Sequence, residues 1–376
     1  MSEQPAGDAR GVSPNYHVVQ ISKVRMNPYV RLLQEALREV GISCSIADGL
    51  SLRLVRSWRG KPAVLHLHWL ELLYSSPSLV RSIRLLATVL MGLLGAKNSG
   101  CKVVYTVHNL NPHEHRFPFL SRIANLILFA IADALHVHNE QAKLDVARAY
   151  PRVMRWREAS GKKHYVVPHG SYIGAYPNQC TKEEARTRLG LDANAFVYLF
   201  LGQIRPYKGI ESLITAFSQL QDDTCQLVIA GHVHDAKYAD VLTQLIRGQA
   251  RAYNWFEYVP DSDVQYFMNA SDVCVLPYRD VTTSGAAILA FSFGKPVIAP
   301  ALGGFMELIS DARGILYDPE KTDDLLHALQ RARLADMKSA GQRALAWAKE
   351  HEWRAIVPQF ARIYAEAWGR QKSSRR

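Results

Sequence analysis

The sequence of 376 residues has only five cysteines and no CxxC pair, so it indicates neither a disulfide framework nor a cysteine-rich metal site. Cys101, Cys225 and Cys274 stand in or beside apolar runs, where cysteine behaves as a small buried hydrophobe of a reducing compartment. The N-terminal segment MSEQPAGDARGVSP lacks the apolar stretch of a secretory signal, which favours a cytosolic protein. The sequence also has no low-complexity tract and no repeat of fixed period.

Long hydrophobic runs are missing as well. The longest, 85–94, is about half of the ~20 residues that a membrane span requires, so we expect it not to cross a membrane. The formal net charge of +11 indicates a negatively charged partner. No helix-turn-helix, zinc-finger or ribonucleoprotein motif accompanies this charge, so we do not expect nucleic acid as the partner. A phosphorylated ligand or an anionic membrane surface fits better.

The chain instead has ample material for hydrophobic cores, with 48% hydrophobic and 21% charged residues, and its length favours two domains. Apolar, β-branched runs alternate with helix-length segments, which predicts parallel sheets with crossover helices. The fold class is therefore α/β, with two Rossmann-like, doubly wound domains. The predicted strands are YHVVQIS, PAVLHLH, KVVYTVH, DALHVH and HYVVPHG in the first half, then FVYLFLG, CQLVIAG, VCVLPY and PVIAP.

A polar stretch with glycine and proline, residues 172–195, separates the two series of strands and contains one short helix. We therefore place one domain at 1–175 and the other at 190–350. The last segment, 352–371, has a helical spacing of large apolar residues and is expected to cross back to the first domain. Ligands of doubly wound sheets collect at the carboxyl ends of the strands, so the residues after each strand are the candidate site.

The segment GQIRPYKG, 202–209, follows one of these strands and precedes an amphipathic helix. Gly202 makes the turn, and Arg205 and Lys208 are thereby directed at the strand end. A guanidinium fork and an ammonium together would neutralise a diphosphate and stabilise the charge that develops as it leaves. The alternative is two solvated loop cations, but the strand–glycine–loop context favours the phosphate site.

A helix start after the strand VCVLPY is the second candidate anion site. Ser284, Gly285 and Ala286 are small, so a phosphate would reach free backbone N–H groups at the positive end of the helix. The alternative is an ordinary N-cap by Thr283 or Ser284, and both interpretations are compatible. Together the two segments would form one anion cradle.

The first domain has polar strand ends rather than a glycine-rich loop. Asn27 is a plausible cap of the first helix with Pro28 as its first residue, and no GxGxxG follows the first strand, which argues against a nicotinamide enzyme. Histidines and other polar residues follow the later strands and predict a polar cleft: His66, His68, Trp69 and Glu71, then His108, Asn109, Asn111, His113, Glu114 and His115, then His136, His138 and Asn139.

The motif strand-G-x-x-x-P-x-K-G, with a later small-residue helix start ending in GKPVIA, resembles the donor-binding domain of GT-B glycosyltransferases of the large retaining family 4. The similarity covers the second half of the chain. Val281 and Leu289 stand where that family has two glutamates, and Gln203 stands where it has an arginine, with Arg205 two places further on. The donor recognition of that family is therefore not expected to carry over in full.

A second resemblance spans most of the chain. The segments MNPYVRLLQEAL, VLHLHWLELL and VVYTVHNLNPHEHR, with IRPYKG and SGAAILAFSFGKPVIAP, are similar to the family 94 β-mannosyltransferases of xanthan-type exopolysaccharide assembly. This resemblance implies transfer of mannose from GDP-mannose to a lipid-diphosphate-linked oligosaccharide at the cytosolic membrane face, with inversion. In both families the histidine after the TVH strand, here His108, is expected beside the transferred sugar.

The expected site residues follow from these segments. The catalytic set is His108, Glu114, Arg205 and Lys208. The donor-binding set is Gly202, Arg205, Lys208, Tyr278, Ser284, Gly285 and Ala286, and the acceptor-side set is Asn27, His68, Trp69, Asn109 and Asn111.

An inverting reaction needs a base for the acceptor hydroxyl, and the candidates are Glu114, ranked first, His68, Glu71 and His113. A retaining reaction needs no separate base. A zinc site from HLH or HEH is a weaker alternative because supporting ligands are absent, and Asp261-Ser262-Asp263 stands at a helix start rather than after a strand. We expect no metal and no cofactor, the nucleotide-sugar being a co-substrate.

The segment 77–97 places basic residues before and after an apolar helix, so it would either rest on an anionic bilayer and present a lipid-linked acceptor or form a buried crossover helix. Three other functions stay open: a retaining family-4-like transferase that uses a UDP-sugar, a non-catalytic scaffold of the same fold that binds a partner or polyanion, and a sugar-phosphate isomerase or epimerase.

Overall fold

The computed structural model describes residues 15–50, 54, 57, 61–110, 117–309 and 312–369, which form two lobes, each built on a six-stranded parallel sheet. The first sheet has the strand order β2-β1-β3-β4-β5-β6. Its strands are β1 (His17–Ile21), β2 (Cys44–Ala47), β3 (Ala63–His68), β4 (Lys102–Thr106), β5 (Ala134–Val137) and β6 (His164–Val166).

The second sheet has the order β12-β11-β10-β7-β8-β9, again with every neighbouring pair parallel. The doubly wound α/β class predicted from the sequence is confirmed. The strands are β7 (Phe196–Leu201), β8 (Cys225–Ala230), β9 (Ala252–Trp255), β10 (Val273–Val275), β11 (Val297–Pro300) and β12 (Gly314–Tyr317).

Helices cover both faces of the first sheet. One face carries the first and last helices of the chain, α1 (Tyr29–Glu39) and α15 (Trp353–Gly369). The other face carries α2 (Glu71–Tyr74), α3 (Leu79–Asn98), α4 (Pro118–Ile131), α5 (Glu140–Ala149) and α6 (Pro151–Ala159).

The helices of the second lobe, with a 3₁₀ turn at Pro206–Lys208, enclose one continuous apolar core. They are α7 (Lys182–Leu189), α8 (Ile210–Ser218), α9 (Ala236–Ile246), α10 (Val264–Ala270), α11 (Gly285–Ser292), α12 (Gly303–Leu308), α13 (Asp324–Leu334) and α14 (Met337–Glu350).

The inner strands of both sheets are buried along all or all but the first residue of their length, whereas the edge strands are partly exposed. All six residues of β3 and all six of β8 are buried, as continuous apolar runs covered on both faces require. The strands β2, β9 and β12 were not predicted from the sequence. Each lies at the edge of its sheet, is four residues long and has partly exposed side chains, so its apolar signal is weak.

The last helix returns to the first lobe. Ile356, Val357 and Phe360 of α15 are buried with Val18 and Leu33 in the core between α1 and the first sheet. The preceding helix, α14, packs instead on the core of the second lobe. The chain therefore leaves the second lobe between residues 350 and 353 and ends on the first.

The apolar run 85–94 lies inside a longer helix, in the segment 77–97 where a helix was expected. The helix α3 has 20 residues, twice the apolar run, and by length and composition it meets the requirement for a membrane span. Only one of its faces enters the core, through Leu86, Val89 and Leu93, whereas Val80 and Met91 on other faces are more than half exposed. Lys97, near its C-terminal end, pairs with Asp133.

All five cysteines are free, the predicted burial of Cys101, Cys225 and Cys274 is confirmed, and Cys44 is buried as well. Cys44, Cys225 and Cys274 lie in strands, and Cys101 directly precedes β4, while Cys180 is partly exposed.

Candidate active site

The carboxyl edges of the two sheets face each other, and hydrogen bonds join them. Asn139, which follows β5, donates its side-chain amide to the carbonyl of Thr282, which follows β10, at 3.0 Å. The backbone N–H of Glu140 donates to the carboxylate of Glu307 at 2.9 Å. The candidate site is thus the cleft between the lobes, where doubly wound folds bind their ligands.

The basic loop after β7 is a tight turn. Gly202 has a φ of 148° and donates its N–H to Ala230 at 3.0 Å, and residues 206–208 form the 3₁₀ turn. Gly209 has a φ of 68°, and a Cβ there would overlap the carbonyl of Pro277, so only glycine fits. Arg205 donates to the side-chain carbonyl of Gln203 at 3.4 Å.

Lys208 lies against an aromatic ring of the neighbouring strand end. Its ammonium is 3.4 Å from the ring centroid of Tyr278, which is buried, and 4.9 Å from that of Tyr207. This burial, together with the charge of Arg205, lowers the pKa of Lys208 to about 7. An anion bound beside the ammonium would reverse the shift, because it favours the charged form.

The start of α11 faces the same cleft. Of the two cap candidates, Thr283 and Ser284, the N-cap is Ser284, and its hydroxyl accepts a hydrogen bond from the N–H of Ala287 at 3.2 Å. Gly285 and Ala286 form the first helical positions, whose N–H groups have no partner within the helix. A Cβ on Gly285 would lie 3.2 Å from the hydroxyl of Tyr172, so the space before the helix is narrow.

Asn27 holds the start of α1, but the helix begins one residue later than predicted. Its side-chain carbonyl accepts hydrogen bonds from the N–H of Tyr29 at 2.9 Å and from the hydroxyl of Tyr172 at 3.0 Å. Pro28 is therefore the capping position rather than the first helical residue. Because Tyr172 belongs to the connection between the lobes, Asn27 ties α1 to that connection.

A chain of neutral hydrogen bonds lies under the strand ends of the first lobe. The carbonyl of Val167 accepts from His136 Nε2 at 2.9 Å, which leaves Nδ1 to accept from the hydroxyl of Thr106 at 2.9 Å. Thr106 then accepts from His66 Nε2 at 2.7 Å, and His66 Nδ1 accepts from Tyr364 at 2.7 Å. One backbone carbonyl thus fixes both tautomers.

His108 lies in the layer above this chain. Its Nε2 is 3.1 Å from Nδ1 of His68, and the indole of Trp69 stacks on its ring at a centroid distance of 3.8 Å. Burial and the neighbouring histidines lower the pKa of His108 well below its ordinary value, and burial lowers that of His68 to about 3. Both rings are therefore neutral at pH 7 and act as hydrogen-bonding groups.

Sequence reasoning missed part of this cluster. Four histidine rings surround the ring of Tyr29: His68, His108, His138 and His169. From the sequence, His138 was only placed at a strand end, and His169 was not named as a site residue. The signal for His169 was present in the run HYVVPHG, since a histidine three places after the end of β6 lies at the same edge as the others. His68 Nε2 and His138 Nε2 are buried without a hydrogen-bond partner in the described part of the chain.

Glu71 is the first residue of α2, two positions after Trp69, and its side chain is partly buried. Burial raises its pKa to about 7, against the opposing effect of a hydrogen bond from Asn109. A carboxylate with such a pKa is suited to accept a proton near neutral pH. Three other candidates, Asn111, His113 and Glu114, lie outside the described residues.

The two positions at which family 4 has glutamates carry apolar side chains here. Val281 is buried in the core of the second lobe, and Leu289 packs against the same core. Within the described residues, no group of three histidine, cysteine or acidic side chains is arranged to hold a metal ion.

Solved structures with the same architecture define the class. Sucrose-phosphate synthase from Thermosynechococcus elongatus superimposes with a TM-score of 0.73 at 18% identity, covering 95% of this chain and 100% of that one. HepE of Anabaena, solved in complex with UDP, has a TM-score of 0.70 at 17% identity over 94% of this chain and 100% of its own. The fold is GT-B, two Rossmann-like domains with the cleft between them.

The family match lies in the second lobe. Residues 181–342 match the family described as glycosyl transferases group 1. The chain therefore carries a glycosyl transferases group 1 domain and is a nucleotide-sugar-dependent glycosyltransferase.

Two relatives extend the similarity beyond that domain. GDP-mannose:glycolipid 4-beta-D-mannosyltransferase of Xanthomonas campestris pv. campestris is 26% identical over 351 residues, which is 92% of this chain and 89% of that protein. D-inositol 3-phosphate glycosyltransferase of Corynebacterium aurimucosum is 28% identical over 65% of this chain and 60% of its own.

Proposed function

We propose that this glycosyltransferase moves mannose from GDP-mannose to a lipid-linked glycan during polysaccharide or glycolipid synthesis, without a metal or cofactor. The observation that carries the proposal is the pairing of the cation loop with the start of α11 across neighbouring strand ends. The choice of mannose is supported by the mannosyltransferase of Xanthomonas campestris, whose similarity spans both lobes rather than the donor domain alone.

The cradle acts on the leaving group. Arg205 and Lys208 would face the diphosphate from one side, and the N–H groups of Gly285 and Ala286 from the other. As the bond between the sugar carbon and the phosphate oxygen breaks, negative charge grows on that oxygen. Donors already fixed in place stabilise this charge without reorganisation, which lowers the barrier.

An inverting transfer also needs a base for the acceptor hydroxyl. Of the two candidates in the described residues, Glu71 has a pKa of about 7, whereas burial holds that of His68 near 3. At neutral pH Glu71 is therefore the better base, and His68 with His108 orients hydroxyl groups. Glu114 stays a candidate from the sequence alone.

The acceptor would arrive from a membrane. Large apolar side chains on the outer faces of α3 and α4 are 42–58% exposed, and Arg81, Arg84 and Arg122 are exposed beside them. Apolar and basic side chains on one surface bind anionic bilayers. We propose that this surface rests on the cytosolic face of the membrane. Its apolar residues are Val80, Ile83, Met91, Leu94, Phe119, Ile123 and Leu126.

The function is tested by a screen of GDP-, UDP- and ADP-sugars for thermal stabilisation and for sugar release or transfer. We expect GDP-mannose to stabilise the protein most, and Arg205→Ala with Lys208→Ala to abolish transfer while the melting temperature without ligand is kept. Lys321→Ala, an exposed lysine of the same lobe, is the control and should leave transfer unchanged.

Each other outcome identifies a competing function. Stabilisation by a UDP-sugar with retention of anomeric configuration would replace the proposal with a family-4-like transferase. No stabilisation by any nucleotide would favour a non-catalytic scaffold, an alternative that the apolar Val281 and Leu289 motivate. Conversion of a sugar phosphate without an acceptor would indicate an isomerase or epimerase.

A further inference from the structure

A groove of about 860 Å³ lies in the first lobe, along the free edge of β6. It is bounded by α5 and α6 on one side of the sheet and by Gln359 and Arg362 of α15 on the other. Every residue that lines it belongs to the first lobe or to α15, so it shares no residue with the cradle of the second lobe. Its volume lies within the range of roughly 300–1,000 Å³ found for ligand pockets.

The groove is strongly basic. Its lining has six cationic side chains and one carboxylate, that of Glu158. Glu366 pairs with Lys163 and Arg362, and Glu140 pairs with Lys143, but the cations remain in excess. The six are Lys143, Arg155, Arg157, Lys162, Lys163 and Arg362.

Two of these cations are structural. The guanidinium of Arg157 donates to the carbonyls of Ala132 at 2.8 Å and Lys163 at 3.2 Å, and the ammonium of Lys162 donates to Ala130 at 2.6 Å. These bonds fix the floor of the groove. They also hold two positive charges beside it regardless of any ligand.

Arg155 has a different role. It is exposed on α6 and has no hydrogen bond or ion pair within the described residues. A guanidinium without a carboxylate, at the mouth of a groove with excess positive charge, is free to form a bidentate pair with an incoming anion.

The pKa of His164, which lines the groove, is lowered by burial and by the positive charges around it. Burial lowers its pKa to about 3, with further lowering by the charges of Arg157 and Lys143. Its Nε2 is buried and has no hydrogen-bond partner among the described residues. A buried nitrogen without a partner is unfavourable, and a ligand that supplies the partner removes that cost.

The backbone adds donors along the same edge. In the pairing with β5, the carbonyl of Lys163 and the N–H of Val167 point toward β5. Because the bonding direction alternates along a strand, the N–H groups of His164 and Val166 point the other way, into the groove.

We propose that this groove is a second anion site of the protein and binds a phosphate ester. Arginine, lysine and backbone N–H groups are the donors that phosphate oxygens accept, and six cations around one cavity select for a multiply charged group. The phosphate belongs either to a soluble phosphorylated compound or to the headgroup of a membrane lipid. The site is independent of the proposed donor and acceptor.

The test uses the full chain with Arg205→Ala and Lys208→Ala in the cradle and with Ile83→Asp and Met91→Asp on the exposed face of α3, so that neither the cradle nor the proposed membrane surface takes part. Pyrophosphate binding is measured by calorimetry, and binding to vesicles of phosphatidylglycerol and phosphatidylcholine by flotation. Arg155→Glu is compared with Arg152→Glu, which reverses the same charge on the same exposed face of α6 but does not line the groove. Melting temperatures check folding, and Arg155→Gln replaces the glutamate variant if it unfolds.

We expect Arg155→Glu to weaken binding of pyrophosphate or of vesicles at least tenfold and Arg152→Glu to change it less than twofold. Loss of pyrophosphate binding alone assigns a soluble phosphate ester, and loss of vesicle binding assigns a lipid headgroup. Equal effects of the two variants would mean that only net charge matters and would overturn the proposal. So would the absence of binding before either change.

Discussion

The indole of Trp69 lies flat on the imidazole of His108, with the ring centroids 3.8 Å apart and the planes 10° apart. Trp69 has a φ of 44°, in the left-handed region that residues other than glycine rarely adopt. Such a conformation costs of order 1–3 kcal/mol and persists where the surroundings enforce it, commonly at functional sites. Here it places a flat surface against His108, whose Nε2 is held by His68.

Loss of this stack should reduce activity more than stability. We expect Trp69→Ala to lower kcat/KM about tenfold, because a stacked pair contributes about 0.5–1.5 kcal/mol and His108 would no longer be held in one orientation. Trp69→Phe keeps an aromatic face and should retain most of the activity. Steady-state kinetics with both variants give the comparison. An alanine variant with the kcat/KM of the unchanged protein would show that the stack does not position His108.

Donor binding should depend on pH through Lys208. Burial against Tyr278 lowers the pKa of Lys208 to about 7, so in the free enzyme the ammonium loses its proton as the pH rises through 7. The dissociation constant of the nucleotide-sugar should then increase by up to about tenfold per pH unit above that value. Titrations between pH 6 and 9 measure it.

Lys208→Arg is the matched control for this dependence, because a guanidinium keeps its charge over the whole range. We expect the variant to bind the donor more weakly than the unchanged protein at pH 6, where both are charged, and to show no break near pH 7. If the dissociation constants of both proteins change slope near the same pH, the titrating group is not Lys208.

The sequence predicts the two sheets and the local conformation of the loop after β7 and of the start of α11, because these depend on local signals. Buried parallel strands read as continuous apolar runs, and the cap at Ser284 and the turn at Gly202 follow from the small residues at those places. The unpredicted strands β2, β9 and β12 lie at sheet edges, where pairing with one neighbour forms the strand without a strong apolar pattern.

The connections of the first-lobe site could not be predicted, because they join residues far apart in the chain. Tyr364 of the last helix reaches His66 across 298 positions, and Tyr172 reaches Asn27 across 145. A list of histidines after strands indicates a polar cleft but does not show which rings share the carbonyl of Val167. That arrangement follows only from the packing of α15 and the connection between the lobes.

The histidine cluster should make the fold sensitive to acid. The pKa of each of six buried histidines is lowered, to about 3 for His68 and about 4 for His136 and His169. The unfolded chain therefore binds protons near pH 6.5, whereas the folded chain does not. As a result, the free energy of unfolding falls as the pH decreases from 6.5 toward 4. The other three are His66, His108 and His138.

Each of these histidines adds up to about 1.4 kcal/mol per pH unit to the decrease in the free energy of unfolding. Urea denaturation at half-unit steps between pH 8 and pH 5 gives the slope, and hence the number of protons taken up on unfolding. His327→Gln, at an exposed histidine of α13, should leave the slope unchanged. A free energy of unfolding that is constant over this range would contradict the neutral cluster.

The side chain of Asn139 caps α5 and also bonds to the second lobe, and two different substitutions can separate these interactions. Its side-chain carbonyl caps α5 by accepting from the N–H of Ala142 at 2.7 Å, while its amide donates to Thr282 at 3.0 Å across the cleft. Asn139→Asp keeps the cap, since aspartate is an equally good N-cap, but turns a carboxylate oxygen toward the carbonyl of Thr282. Asn139→Ala removes both interactions.

The aspartate variant should therefore keep its free energy of unfolding within about 0.5 kcal/mol, whereas the alanine variant loses about 1 kcal/mol with the cap. Both should raise the KM for the donor five- to tenfold, because Thr282 lies two residues before the helix cap at Ser284, and repulsion or loss of the bond lets that segment move away from the basic loop. Denaturation curves and donor kinetics on the two variants separate the effects. An unchanged donor KM in the aspartate variant would mean that contacts within the second lobe hold Thr282 in place. The hydrogen bond from Asn139 would then have no effect on donor binding.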